Sequence, residues 1–265
     1  MIKPIVVRCP EEFKFLQPRV VSDLFRVGNA SDGGYVMTSI AISNSKYFLS
    51  LGLGENWSFE KAVSEKNLNA SIDIYDDTVS LAFFAKKALK GLVKFVFMKD
   101  SITNLCARIT RWIKYYHFWY ISSKNTHHRT RITKNSFREI ISRYSLESRI
   151  GLKVDIEGSE WEILELIAQN QSLFEFVLIE IHNFEEHESD LRKFLMSLDK
   201  GFVIAHLHAN NFEGLGKNGF PRVFELTLLK KANAKTTDNY RQRLPIADLD
   251  APNAKNRADF FIDFT

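Results

Sequence analysis

The stretch Tyr47-Phe-Leu-Ser-Leu-Gly-Leu-Gly-Glu-Asn-Trp-Ser-Phe-Glu60 decides the fold. Tyr47 to Leu51 is a continuous, mostly apolar run that ends in glycine, the pattern of a parallel strand buried on both faces. From Ser58, residues Phe59, Ala62 and Val63 fall at helical spacing, with Glu60, Lys61 and Glu65 outside them. Between the strand and the helix, Gly52 and Gly54 let the backbone approach a ligand closely. The free N–H groups at the helix start point at that ligand. Strand, glycine turn and helix together open an α/β sheet.

The same alternation continues outward. Residues 70–75 form a second predicted strand ending at Asp76-Asp77, residues 80–90 a helix, and Val93-Lys-Phe-Val-Phe97 a third strand. Later come a helix at 137–144, a strand at 150–156, a helix at 159–169, a strand at 176–181 and a helix at 188–198. The strands at 202–208 and 223–229 are joined by a Gly/Asn-rich connection instead of a helix, which suits an antiparallel hairpin. The expected fold is α/β and doubly wound: a mostly parallel seven-stranded sheet with a C-terminal antiparallel hairpin, in one domain over residues 1–265. Residues 1–26 read as a short helical lead-in, 26–35 as a loop, and 232–258 as an irregular polar tail. Residues 101–138 stand apart as a helical, basic and aromatic insert or lid, with eight Lys/Arg and no Asp/Glu.

Bulk properties set limits. A chain of 265 residues buries a substantial core without metals or disulfides. Its 45% hydrophobic and 26% charged content is ordinary, and a net charge of +4 does not argue for a nucleic-acid partner. Cys9 and Cys106 have no zinc-ligand spacing, so a reduced, cytoplasmic protein is expected. The first residues lack the charged-then-apolar order of a signal peptide. No apolar run reaches the length of a membrane span.

The glycine turn also discriminates among cofactors. A dinucleotide fingerprint would place a third glycine where Trp57 stands, and no P-loop motif is present. A two-glycine turn followed by an acid suits a cofactor with a cationic amino-acid end, and Asp76 at the second strand end can meet a ribose. These features point to S-adenosylmethionine.

A family resemblance strengthens this. Leu152-Lys-Val-Asp-Ile-Glu-Gly-Ser-Glu-Trp-Glu-Ile-Leu164 resembles the signature of the FkbM-like methyltransferases. Ser50–Glu60, Arg26-Val-Gly with Asp32-Gly-Gly-Tyr35, Leu178-Ile-Glu-Ile-His182 and His206-Leu-His-Ala-Asn-Asn211 are similar to further segments of that group. The resemblance covers roughly residues 26–230. It implies the class I methyltransferase fold and O-methylation of sugars or other small hydroxylated metabolites, as in polysaccharide biosynthesis. Two departures bear on the acceptor. Asp76-Asp77 replaces the family's usual Glu-Pro, and residues 101–138 lie outside the common motifs. The expected cofactor residues are Gly33, Gly34, Tyr35, Gly52, Gly54, Glu55, Asn56, Asp76, Asp100 and Asp155.

Candidate chemistry lies at the strand ends. Asp155 with Glu157, Glu180 with His182, and His206, His208 with Asn210 each share one strand face. Buried acids there need partners or a ligand, although Glu157 can also be a helix cap and His206 a core residue. Asp155, Glu180, His182 and His208 are the expected catalytic groups. In one mechanism His182 or His208 is a general base. In the other, Asp155, Glu180 and His182 hold Mg²⁺ or Mn²⁺. Arg108, Arg111, Lys114, Arg129 and Arg131 are expected to meet a phosphate or sugar nucleotide, with Trp112 stacking on it and Asn210 and Asn211 adding contacts. The alternatives for this segment are a solvated helical face, a membrane-surface helix or an RNA contact. A homodimer is open. A nicotinamide oxidoreductase and a non-catalytic anion-binding module are the competing functions.

Overall fold

Seven strands define the centre of the computed structural model, which describes residues 3–265. They are β1 (Tyr47–Leu51), β2 (Ser71–Tyr75), β3 (Asn125–His128), β4 (Ile150–Val154), β5 (Phe174–Ile181), β6 (Phe202–Ala209) and β7 (Phe224–Lys230). Their spatial order is β6-β7-β5-β4-β1-β2-β3. β7 runs antiparallel to both neighbours, and the other pairings are parallel. Seven helices accompany them: α1 (Ser39–Asn44), α2 (Ser58–Lys66), α3 (Leu81–Val96), α4 (Ile102–Tyr116), α5 (Lys134–Ile141), α6 (Leu164–Gln169) and α7 (Glu188–Leu198).

The sheet is covered on both sides, which is why β4 and β5 are buried at every position. On one face Leu49, Leu152, Val177 and Ile179 pack with Phe137, Ile167, Leu191 and Phe194 from α5, α6 and α7. On the other, Phe48, Ile72, Ile74 and Phe176 pack with Phe59 and Val63 of α2 and with Phe84 and Tyr115 of α3 and α4.

Several expectations change, among them the tail at 232–258, where Thr236–Tyr240 pairs with Arg19–Val21 and Arg243–Leu244 with Phe260–Asp263. Residues 93–97 are not a strand. Residues 93–96 continue α3 and Phe97 is its C-cap, because Phe84, Ala88 and Gly91 extend one buried helical stripe from the Ser80 cap, whose Oγ accepts the Phe83 N–H at 3.1 Å. The third strand is Asn125-Thr-His-His128, inside the basic aromatic segment. It sits at the sheet edge, pairs only with β2, and carries no apolar pattern to betray it. Residues 101–138 therefore supply α4, a π-helical turn at His117–Ile121, and β3. Another change is at the N-terminus. The helical lead-in is instead a strand (Ile5–Arg8) paired to Phe260–Asp263, a 3₁₀ turn (Glu11–Leu16) and a hairpin, Leu24–Gly28 with Gly34–Thr38, that packs on α2.

Register sets up the site. His208 pairs with Glu225, and Glu225 with Glu180. Val154 pairs with Ile179, so Asp155 follows beside Glu180. Residues in register on neighbouring strands share a face. The carboxyl edge of the sheet therefore carries His208, Glu225, Glu180 and Asp155 in one row.

Candidate active site

A cleft of about 690 Å³ opens where β1 and β4 diverge toward their helices, the switch point at which doubly wound sheets bind ligands. Its floor is the glycine turn. Gly52 has φ +86°, and a Cβ there would overlap the Asp155 carbonyl, so the close approach of β1 and β4 requires glycine. Gly54 has φ +58° and open space where a Cβ would stand. The Asn56 side chain accepts the Ser58 N–H at 3.2 Å where α2 begins and donates to the Asp32 carbonyl at 2.8 Å, fastening the Gly33 turn over the cleft. Gly33 lines the cleft, whereas Gly34 and Tyr35 do not; Tyr35 packs edge-on against Phe59.

Asp76 organises the turn itself. One carboxylate oxygen accepts the Leu53 and Gly54 N–H groups at 2.8 and 2.9 Å. The other accepts the Thr78 N–H and hydroxyl, both at 2.6 Å. Burial alone would raise its pKa, but these bonds hold it below the usual carboxylate range. Asp76 lines the cleft with its acceptors filled, and the exposed Asp77 beside it offers a free carboxylate.

Lys153 is the buried cation beneath the floor. Its Nζ lies 3.1 Å from the Gly52 carbonyl and 3.5 Å from both Glu60 and Asp155. Burial opposes its charge, but those acids together with Glu180 keep it protonated, with the pKa above the ordinary lysine value. One cation does not neutralise the surrounding acids. Burial and the charges of Asp155 and Glu225 push Glu180 well above the usual carboxylate range. Burial likewise raises Glu225, although Asn253 donates to it at 3.0 Å. The Asn210 amide donates to Glu180 at 2.7 Å.

This has a stability consequence. Glu225 protonated is the form the fold favours, so its contribution is complete below the unfolded pKa and is lost as pH rises through the raised folded value. Glu225→Gln is therefore expected to gain stability relative to wild type between pH 5 and pH 9, by at least about 1 kcal/mol, the worth of one pKa unit. Urea unfolding at both pH values measures it, and a pH-independent difference would refute it.

His182 sits at the end of β5 and lines the cleft. Glu160, fully buried, accepts the His182 backbone N–H at 2.7 Å and lies 3.2 Å from Nδ1. Its second oxygen accepts the Gly158 N–H at 2.8 Å. The Trp161 indole donates to the His182 carbonyl at 3.0 Å. This bonding fixes Nδ1 as the protonated nitrogen and leaves Nε2 toward the cleft, 3.5 Å from Glu157. Burial disfavours the imidazolium, but the Glu160 bond and the charges of Asp155 and Glu157 outweigh it and raise the pKa above the ordinary histidine value.

The structure gathers some expected residues and disperses others. Gly33, Gly52, Gly54, Asn56, Asp76, Asp155, Glu180, His182, Asn210 and Arg131 all line the cleft. His208 does not. It lies behind Glu225, buried, with neither ring nitrogen hydrogen-bonded among the described residues, and burial pushes its pKa down to about 4. Asp100 is at the α3–α4 junction, paired with Arg108 and Asn104, because the strand expected before it is helix. Glu55 faces outward and pairs with Lys87 and Arg111. Arg108, Arg111, Trp112 and Lys114 belong to α4 and, like Arg129, are absent from the lining. Asn211 is bonded to Ala254 in both directions and His206 lies 3.1 Å from Asp250, so both anchor the C-terminal tail. The donors that converge for a cation are Asp155, Glu157 and His182, within 4.8 Å of one another; Glu180 is not in that set. Sequence reasoning missed Lys153, Glu160 and Asn253.

The strand order, 3-2-1-4-5-7-6 with the seventh antiparallel, defines the Rossmann-like class I methyltransferase architecture. No family model and no curated protein matches the chain. Among solved structures, the chain is similar to a precorrin-6y C5,15-methyltransferase from Geobacter metallireducens GS-15 (11% identity, 72% of this chain and 84% of that one, TM-score 0.38). It is also similar to the plantazolicin methyltransferase BpumL in complex with SAH (10%, 72% and 82%, TM-score 0.34) and to spermidine synthase from Thermotoga maritima (9%, 74% and 57%, TM-score 0.37). The fold assignment rests on the strand order and not on these likenesses.

Proposed function

We propose that the protein is an S-adenosylmethionine-dependent O-methyltransferase acting on a hydroxyl of a neutral, sugar-like small molecule. The observation that carries it is the acid-rich cleft around an open glycine turn. Asp32, Asp76, Asp77, Asp155, Glu157 and Glu213 line it against Lys153 and Arg131, with Glu180 beside them in its protonated form. Such a field attracts a ligand bearing a sulfonium and an ammonium and repels a diphosphate. This disfavours a nicotinamide dinucleotide and an anionic polymer. It also favours a neutral acceptor over the phosphate-bearing one expected from the basic segment, most of whose cations face elsewhere. The FkbM-like resemblance of residues 152–164 supports a hydroxyl acceptor.

The cleft volume and the open space over Gly54 fit the cofactor, with Asp77 disposed to meet the ribose and Asp155 the amino group. When bound, the cofactor supplies a methyl group activated on sulfonium. The chain's own residues align the acceptor oxygen and take its proton. His182, oriented by Glu160, accepts that proton at Nε2 as the oxygen–methyl bond forms and the methyl–sulfur bond breaks. In a second reading, favoured by the convergence of those three donors, Asp155, Glu157 and His182 would hold a divalent cation, which would supply Lewis acidity to the acceptor hydroxyl.

Calorimetric titration with S-adenosylhomocysteine and with NADH tests the first step. Micromolar binding of the former, weakened about tenfold in Asp77→Asn by loss of a charged hydrogen bond, and none of NADH are expected. Binding of NADH alone would overturn the proposal. Turnover of a sugar panel before and after chelation separates the base from the metal mechanism.

A further inference from the structure

The helical hairpin formed by α3 and α4 carries a surface the cleft does not use. Phe84, Ala88 and Gly91 anchor α3, and Leu105 and Tyr115 anchor α4. At Gly91 the helices meet so closely that a Cβ would run into the Arg108 side chain. Beyond that point every residue from Leu92 to Lys99 is exposed. Phe97 is 69% and Met98 94% exposed, and Val93, Val96 and Ile102 join them in one apolar tip. Exposed apolar patches of this kind mark interaction sites.

The charge around the tip identifies what covers it. Residues 81–116 hold eight Lys/Arg against Asp100 alone, and Asp100 is already paired with Arg108. Lys86, Lys90, Lys94, Lys99 and Lys114 enter no ion pair among the described residues. We propose that this hairpin docks the protein on an anionic lipid surface. The Phe95–Met98 tip enters the boundary between headgroups and acyl chains while the lysines meet lipid phosphates. A symmetric contact with a second copy would set the same lysines against each other. A nucleic acid would satisfy the lysines but leave the aliphatic tip in water. No helix among the described residues is long and apolar enough to cross a membrane, so this contact is peripheral.

Co-sedimentation of the full-length protein with vesicles tests this independently of any activity. Vesicles of phosphatidylcholine with about one third phosphatidylglycerol are expected to retain the protein, and pure phosphatidylcholine is not. Phe97→Ser/Met98→Ser and Lys94→Ser/Lys99→Ser should each weaken retention by about tenfold. Their thermal midpoints should not change, because these side chains are exposed. Equal retention on neutral vesicles, or none on anionic ones, overturns the proposal. So does retention that survives Phe97→Ser/Met98→Ser and is abolished by competing RNA. A concentration-dependent dimer in sedimentation velocity that Phe97→Ser/Met98→Ser abolishes would assign the tip to a second copy instead, also against the proposal.

Discussion

Lys153→Met is expected to destabilise the protein by about 3–5 kcal/mol, the cost of removing one partner from a buried ion pair. Lys153 and Glu60 are both almost wholly buried, and the lysine is the cation nearest Glu60 and Asp155. Ser50 donates to Glu60 at 2.8 Å, but one hydroxyl cannot replace the charge, and the second Glu60 oxygen has no partner among the described residues. Methionine fills similar volume, so the loss reads electrostatics and not a cavity. Chemical unfolding measures it. The double variant Lys153→Met/Glu60→Leu should recover most of the loss, because it removes both charges and leaves apolar surface between α2 and the sheet. Additivity of the two single changes, or a loss below about 1 kcal/mol, would show that the pair is not coupled. S-adenosylhomocysteine binding should weaken in Lys153→Met as well, since the lysine Nζ holds the Gly52 carbonyl of the turn.

Lys153 also marks the limit of what the sequence disclosed. The strand alternation, the closing hairpin and the glycine turn were legible because parallel strands leave unbroken apolar runs that end in glycine. The same rule contained a signal that went unused. A lysine in a central parallel strand has covered faces on both sides, so it must be buried and must have an acid. That acid, Glu60, was hidden because it was placed on the outer face of α2. β3 was illegible for the opposite reason. Asn125-Thr-His-His128 is an edge strand whose polar residues satisfy no periodicity, while the apolar end of α3 imitated a strand. Asn253 was illegible because it reaches the cleft from a tail held by His206–Asp250 and Asn211–Ala254, contacts about 40 residues apart that no local pattern encodes. Glu160 was missed because residues 159–169 read as one amphipathic helix. A 3₁₀ turn at Glu160–Glu162 instead rotates Glu160 inward, toward His182.

That inward rotation produces the prediction with the largest effect on activity. His182→Ala is expected to lower kcat by about 10²–10⁴-fold, the range for loss of a positioned general base, while S-adenosylhomocysteine still binds. The pH profile carries the sharper test. A base must be neutral to accept a proton, and the His182 pKa lies above the ordinary histidine value. Turnover should therefore be low at acid pH and rise as pH passes through that raised value. Glu160→Gln keeps the shape and the backbone contact but removes the negative charge that stabilises imidazolium. It should move the acid limb to lower pH and also reduce the plateau, because a less basic imidazole is a weaker proton acceptor. A purely structural Glu160 would lower expression or stability without moving the limb. If the limb stays in place in Glu160→Gln while chelation abolishes turnover of the wild type, the general-base assignment fails, and Asp155, Glu157 and His182 would instead be the residues that hold a cation.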